Sequence, residues 1–412
     1  MSTADVVIVG GGVGGSALAA SLAGAGREVV LLERTRTFED RVRGEWMAPW
    51  GVAEAKRLGL YDLLIAQGGH HLARHVNYDE LADPADAEAG ALPIGILHPD
   101  SPGPLCLEHV TMQRALFEHA GRAGAATLRG VTGVSVTAGS EPAVRFARDG
   151  EAHEIRCRIV VGADGRASGV RRTLGIPLHE SPVDHLIAGL LVDGAEDWPE
   201  DTQAIGKAGD INYLIFPQGS GKVRIYADYD ASERGRFHGA DGAARMLAAF
   251  DMDCVPGSHA IAGARPIGPC RSYPSQDAWT ERPHAAGGVL IGDAAGYNDP
   301  ILGQGLSVTL RDVRIVRDLL LDSDDWSDDS LFGPYAQERG ERLRRLRFTA
   351  ECVTELFARF DADAVALRTR ALARIRQQPE RFAGVAAAAF IGPERCDAAL
   401  FTPEFKARLF GA

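Results

Sequence analysis

Lysine is scarce in this sequence. Only Lys56, Lys207, Lys222 and Lys406 contribute to its 44 basic residues, and the rest are arginine. Together with abundant alanine and glycine, that bias points to coding in a high-GC bacterium rather than to chemistry. Positive charge is in deficit as well: 56 acidic residues leave a formal net charge of −12. An acidic chain repels phosphate backbones, so nucleic acid is not an expected partner. Cysteine is sparse, at positions 106, 157, 254, 270, 352 and 396, with no CxxC pair. That argues against a zinc site or a disulfide framework and fits reduced thiols in the cytoplasm. No apolar run reaches 18 residues, so no transmembrane segment is expected. No basic leader precedes the first apolar run, so no secretory signal is expected either. There is no internal repeat. Hydrophobic residues at 45% and charged residues at 24% are those of a soluble globular chain. At about 100–200 residues per domain, 412 residues make two or three lobes.

What is present begins with DVVIV at 5–9, a short β-branched run that reads as a buried parallel strand. Glycines follow at once, then a helix over 14–25 and a second strand over 28–33, which makes one βαβ unit. The Pro-, Gly- and Asp-rich stretch 79–104 reads as irregular loops. A helix over 110–124 and strands at 131–137, 143–148 and 153–161 return the chain to the first sheet. Strands at 185–193, 211–216, 222–229 and 263–273, with a helix over 241–250, read as a separate antiparallel sheet inserted into the first domain. Residues 289–292 form another buried strand, and 304–321 a long helix. After the acidic loop 322–330, residues 335–412 read as helical, with breaks near Gly392-Pro393 and Thr402-Pro403. The fold class is α/β. A Rossmann-like domain is expected over 1–175 and 275–325, with 66–110 on the substrate side. An antiparallel-sheet substrate domain follows over 176–274, and a helical C-terminal region over 326–412.

Gly10-Gly11-Gly12-Val13-Gly14-Gly15 satisfies GxGxxG between a strand and a helix. The first glycine permits a tight turn, the second lets a pyrophosphate approach the backbone, and the third lets helix and sheet pack closely. The helix N-terminus then offers free N–H groups to the phosphate. Glu33 lies 18 residues beyond Gly15, at the end of the second strand, where a carboxylate accepts from a ribose hydroxyl. These features call for an adenine dinucleotide without separating FAD from NAD. Two later motifs each set an aspartate directly after a buried strand: Gly162-Ala163-Asp164-Gly165 and Gly292-Asp293-Ala294-Ala295-Gly296. Either aspartate also reads as a helix N-cap. Pro300 and Gly303-Gln304-Gly305-Leu306 then open the long helix, where small residues let a flat ring lie against backbone.

In this order the motifs resemble the single-component FAD-dependent aromatic hydroxylases, the para-hydroxybenzoate hydroxylase-like flavoprotein monooxygenases, over about residues 4–325. The resemblance implies FAD contacts at Gly10, Gly12, Val13, Gly14, Gly15, Glu33 and Arg34. It also implies them at Asp164, Asp293, Pro300, Gly303, Gly305 and Leu306. Arg43 and Arg114 match arginines that the family sets against the cofactor, where a guanidinium fork pairs with phosphate and ribityl oxygens. The implied activity uses bound FAD, transient NADPH or NADH, and O2. It inserts one oxygen atom into an aromatic or polyketide-like small molecule through a flavin C4a-hydroperoxide, the cofactor carrying the chemistry. Hydroxylation leads; epoxidation and Baeyer–Villiger insertion use the same oxidant. The expectation is a cytoplasmic enzyme of bacterial secondary metabolism.

The chain also departs from the family. Gly296 stands where many members carry histidine after GDAA, and the WxWxIP signature of the related halogenases is absent. An FAD-dependent reductase of the geranylgeranyl-reductase type, without oxygen insertion, is therefore the alternative. A flavoprotein that has lost turnover is a further one, opposed by the intact motifs.

No catalytic base stands out. His71, in the group His70, His71 and His75, and Asp299, beside Pro300, are the candidates. The HHxxxH spacing lacks further ligands at motif spacing, so no metal is expected. Arg224 and Tyr226 share one face of their strand by alternation, and Asn212 and Leu214 share one on the partner strand. All four are candidates for substrate contact, Arg224 toward an anionic or carbonyl group. In RGERLRRLRF, 339–348, the pairs Glu338/Arg342 and Glu341/Arg345 read as a solvent-facing helix. VAAAAFI, 385–391, is too short to span a bilayer and reads as a core or dimer-contact helix, which leaves a homodimer open.

Overall fold

The structure is a computed structural model, and it describes residues 2–42, 44–328 and 330–411. The chain opens with β1 (Ser2–Val9), α1 (Val13–Gly24) and β2 (Val29–Glu33), the expected βαβ unit. There follow α2 (Pro49–Arg57), β3 (Arg74–Val76), α3 (His109–Arg122) and β4 (Ala126–Arg129). A meander of β5 (Thr132–Thr137), β6 (Ala143–Arg148) and β7 (Glu151–Gly162) leads back into the sheet. The first sheet runs β4-β2-β1-β7 and then β13 (Gly288–Leu290), and all of these pair in parallel. The alternation of β1 explains its unbroken apolar run. Val6 and Ile8 enter a core with α1, α3 and the long helix α5 (Gly305–Asp322), while Val7 and Val9 enter a second core beneath β6 and β7. The chain winds from β1 through β2 to β4, then crosses to β7 and β13. The crevice at the carboxyl ends of β1 and β7 is therefore a topological switch point, where ligands bind in open α/β sheets.

After the short helix α4 (Gly169–Thr173) comes the second sheet. Its strands are β8 (His185–Asp193), β9 (Thr202–Ala208), β10 (Ile211–Gly219), β11 (Lys222–Asp230) and β12 (Arg271–Ser275). The order is β8-β11-β10-β9-β3, with β12 on the outer side of β8. Strands β9 and β3 do not stand out in the sequence: TQAIGKA is poor in β-formers, and it pairs because β10 supplies the edge. The strand expected over 263–273 is split into Arg265–Pro266 and β12 by the stretch 267–270, which contains Pro269, since proline removes a ladder donor.

The C-terminal region is helical as expected: α6 (Gly333–Phe357), α7 (Ala362–Gln377), α8 (Glu380–Ile391) and α9 (Pro403–Phe410). A further break falls at 358–361, where Asp361 caps α7 through the N–H of Ala364. The solvent-facing reading of 339–348 needs correction. The Glu338–Arg342 and Glu341–Arg345 pairs form, but Arg339 and Arg342 are buried and close on Asp312 of α5 at 3.0 and 2.7 Å. Spacing along one helix cannot reveal a countercharge that arrives from another. All six cysteines are unpaired. No helix among the described residues is long and apolar enough to cross a membrane.

Candidate active site

Three turns meet at the switch point. The Gly10–Gly15 turn leaves β1 with Gly10 at φ +112°, and a Cβ there would lie 2.2 Å from the Ala163 carbonyl oxygen. The β1 and β7 turns are thus pressed together, and Ala163 N–H donates to Val9. A Cβ on Gly15 would lie 1.9 Å from the Gly10 carbonyl oxygen. Gly12 differs: nothing lies within 4 Å of its Cβ position, and it faces open cavity. The N-terminus of α1, capped by Gly12 with no side chain, opens onto the same space, and so does that of α5 at Gly305. An acceptor-poor cradle of glycine and two uncapped helix N-termini suits a diphosphate and an electron-rich ring. FAD fits these residues.

The third turn, Gly292–Gly296, is held from below. Arg339 donates to the carbonyls of Gly292, Ala295 and Gly296 and to Asp312, Arg171 donates to that of Ala294, and Tyr335 donates to that of Leu290. Asp312 also accepts the N–H of Gly292. Burial favours a neutral Asp312, but Arg339 and Arg342 outweigh it and hold the carboxyl below its ordinary range. The Gly296 departure has a steric cause. At φ +111°, a Cβ there would strike the backbone of Ala278 and Trp279, so this chain has no room for histidine.

The expected cofactor residues divide by placement. Gly12, Val13, Gly14, Asp293, Pro300, Gly303, Gly305 and Leu306 border one cavity. Asp293 lies 3.3 Å from Arg166, whose guanidinium stacks on Tyr297. Glu33 is turned onto the N–H groups of Gly11 and Thr35, both at 2.7 Å, and so braces the glycine turn. Asp164 accepts from the Ser168 hydroxyl and from the Gly169 and Val170 N–H groups that open α4, while the N-cap position itself falls to Ser168, which accepts from Arg171. Arg34 and Arg114 are exposed, and it is the neighbouring Gln113 that reaches the carbonyl of Gly11. Arg43 lies outside the described residues.

The cavity's other wall is the antiparallel sheet, through Ile187, Leu214, Phe216 and Tyr226, with Trp46 against Phe216. Tyr226 and Leu214 therefore border it, whereas Arg224 and Asn212 do not. Arg224 is buried and neutralised by Asp40 and Glu45 at 3.0 and 3.1 Å, which leaves it no charge to offer an anion. Asn212 donates to Asp228. His71 bonds Tyr61 and the carbonyls of Gly103 and Pro104, away from the cavity. Among the described residues no cluster with metal-ligating composition occurs.

Asp299 caps the turn at Ile301 and faces a residue that the sequence did not single out, His185. This imidazole is buried, 3.5 Å from Asp299 and 3.8 Å from Asp228, with Lys207 and Asp184 also acting on the cluster. Burial works against its charge, but the three aspartates lift its pKa to about 9. Burial lifts that of Asp228 to about 7. Relative to the unfolded chain, the folded cluster binds extra protons from about pH 4 to pH 9, so its contribution to stability declines as pH rises through that window. The His185 contribution is complete below about pH 6.5 and gone above about pH 9. His185→Gln is expected to flatten the fall in Tm between pH 6.5 and 9; an unaltered slope in thermal melts would refute this titration.

The comparisons with known proteins agree with the geometry. Residues 3–348 match the FAD binding domain family model, and the chain belongs to that family of flavoproteins. It is a flavin-binding family, as the motifs implied. Within it, the chain is 27% identical to squalene monooxygenase SE1 of Panax ginseng over 340 residues, 81% of this chain and 61% of that protein. It is 29% identical to menaquinone reductase of Mycobacterium tuberculosis over 339 residues, 77% of this chain and 76% of that one. The chain spans about three-fifths of the length of the squalene monooxygenases it matches. In structure it resembles p-nitrophenol 4-monooxygenase PnpA of Pseudomonas putida, with a TM-score of 0.77 at 18% identity over 94% of this chain and 97% of that one. The flavin-dependent halogenase CmlS gives 0.75 at 18% identity, over 100% and 78%. At such identities these likenesses show the fold.

Proposed function

We propose that this chain is an FAD-dependent monooxygenase that consumes NADPH or NADH and O2 and oxygenates an aromatic or polyketide-like small molecule. The observation that carries the reading is a single cavity joining two uncapped helix N-termini and an open Gly12 to a wall of aromatic and aliphatic side chains. The Gly10–Gly15 turn and the α1 N-terminus would hold the diphosphate, Glu33 the adenosine ribose, and Asp293 with Pro300–Leu306 the ribityl chain and ring. When bound, FAD supplies the acceptor for nicotinamide hydride and the activation of O2. The chain's own residues do the positioning. Arg339 fixes the Asp293 turn, Glu33 fixes the glycine turn, and Trp46, Phe216 and Leu214 keep the substrate end dry. Asp164 would act through α4, whose first two N–H groups it holds. The lobes proposed are those of the sequence reading: an FAD-binding lobe over 1–175 and 275–325, a substrate lobe over 176–274 with 66–110 on its side, and a helical C-terminal region over 326–412.

The likeness to squalene monooxygenase makes epoxidation the next chemistry to try. The likeness to menaquinone reductase supports a second reading, reduction without oxygen insertion. Labelled dioxygen separates them: label in the product supports the monooxygenase, and turnover without label supports the reductase.

The purified protein is expected to be yellow, and its flavin band to bleach under anaerobic NADPH or NADH, faster with the right phenol present. Asp293→Ala is expected to weaken FAD binding by at least about tenfold, since it removes a carboxylate acceptor at the cavity wall. Full flavin occupancy in that variant would move the site elsewhere.

A further inference from the structure

The polar atoms bordering the cavity share an arrangement that bears on its substrate. Several side-chain donors there already have protein acceptors. Trp46 Nε1 donates to Gln203 at 2.7 Å. Gln304 Nε2 donates to the carbonyls of Leu302 and Ala389, while its Oε1 accepts from Trp50. Asn298 Nδ2 donates to Asp277 at 3.0 Å, and the Tyr273 hydroxyl donates to the carbonyl of Arg41. Arg166 donates from Nε to Asp293 at 3.3 Å, and its guanidinium lies over the Tyr297 ring at the flavin end, away from the sheet wall.

At the sheet wall the same holds for Tyr226, whose hydroxyl donates to Glu45. Glu45 is 1% exposed, borders the cavity, and has its other oxygen 3.1 Å from Arg224. Arg224 in turn pairs with Asp40, so one guanidinium serves two carboxylates and the trio carries a net charge of −1 by its formal charges. Burial and the Glu45 charge push the Tyr226 hydroxyl well above the tyrosine range, so it stays protonated. Its proton is committed to Glu45. What Tyr226 and Glu45 offer to the cavity is acceptor oxygen beside excess negative charge. A carboxylate placed there meets repulsion, and an apolar group leaves the acceptors unpaired.

We infer that Tyr226 and Glu45 select the substrate, and that the cavity takes a neutral aromatic whose O–H or N–H donates to the Tyr226 oxygen, discriminating against carboxylates. This inference rests on the proposed function, and it reverses the sequence expectation that Arg224 meets an anion. Tyr226 touches the substrate. Glu45 acts through Tyr226 as a positioning residue, with Arg224 holding Glu45.

The test uses FAD-loaded protein titrated with four probes of one ring system: 2-naphthol, 2-naphthylamine, 2-naphthoate and naphthalene. Binding is read from flavin difference spectra and tryptophan fluorescence, because Trp46 borders the same space. The naphthol and the amine are expected to bind at least about tenfold more tightly than the carboxylate, and several-fold more tightly than naphthalene. Tyr226→Phe should erase the advantage of naphthol over naphthalene with FAD content unchanged. Glu45→Gln, which removes the charge and supplies a donor, should narrow the gap to 2-naphthoate by about tenfold. Equal binding of naphthol and naphthoate, absence of binding by all four, or variants that leave the ratios intact would each overturn the inference. Failure to take up FAD at all would instead defeat the proposed function on which it stands. The wild-type selectivity is read without any variant, so a Glu45 variant that does not fold leaves the inference open to refutation.

Discussion

Gly12→Asp is expected to weaken FAD binding by at least about a hundredfold while leaving the protein as stable as before, or slightly more so. Gly12 is the N-cap of α1, with φ −73° and ψ −173°, extended backbone that any residue adopts. Its Cβ position is empty to 4 Å, so the new side chain displaces nothing. Aspartate is a better N-cap than glycine by a few tenths of a kcal/mol or more, and a negative charge at a helix N-terminus adds to that. The same carboxylate stands where a diphosphate would seat. Two unit charges about 4 Å apart at an effective dielectric of about 20 repel by about 4 kcal/mol. Solvent screening reduces this, and the expected weakening of FAD is at least about a hundredfold. Isothermal titration of the apoprotein reads the affinity, and a thermal melt without FAD reads the fold. The two readouts should move in opposite directions. A variant that keeps its FAD would refute the assigned diphosphate seat; one that loses FAD only because it melts early would show that the turn had been misread. The neighbouring Gly10 gives the contrast, because alanine there collides with Ala163 and damages the turn itself.

Arg339→Met should be the most destabilising single change among those considered. The side chain is 2% exposed and makes four hydrogen bonds, three to carbonyls of the Gly292–Gly296 turn and one to the buried Asp312. Methionine fills much of the volume but leaves those carbonyls unpaired and Asp312 with Arg342 as its remaining cation. Removing one partner of a buried ion pair costs about 3–5 kcal/mol. Urea denaturation should show that loss. FAD content should fall with it, because the turn carrying Asp293 loses its support. Arg339→Lys, which keeps the charge but not the fork, should restore part of the stability and little of the FAD. Wild-type stability in the methionine variant would mean that water replaces the guanidinium at no cost, and the clamp would then be without consequence.

Much of this site was legible from local pattern. GxGxxG, the two aspartate turns and the Pro300–Leu306 opening are contiguous, and each owes its form to backbone constraints acting within a few residues. The strands of the parallel sheet were legible because burial on both faces makes residues 6–9 of β1, 159–161 at the end of β7 and 289–291 continuous apolar runs. Strand β9 was not, since its composition is neutral and its partner supplies the reason for pairing. Arg339 and Arg342 were misread because their helix also satisfies the i,i+4 rule for a surface. An aspartate at position 312, set among Leu310, Val313 and Val316 on a buried helical face, was the available sign that cations must come to it.

The sequence by itself determined the class of fold, the adenine-dinucleotide turn and the order in which the motifs line a switch point. These depend on short-range sterics: where glycine must be, where a helix begins, and which strands are buried on both faces. Only the tertiary structure decided which polar atoms face the cavity. It turned Asp164 onto α4, His71 onto Tyr61, and Asp299 onto His185, and it set Arg224 between two carboxylates. Those outcomes depend on charges brought together from residues as far apart as Asp40 and Arg224 or Asp312 and Arg339. A buried charge is settled by whichever partner the packing delivers, and no local spacing records that partner.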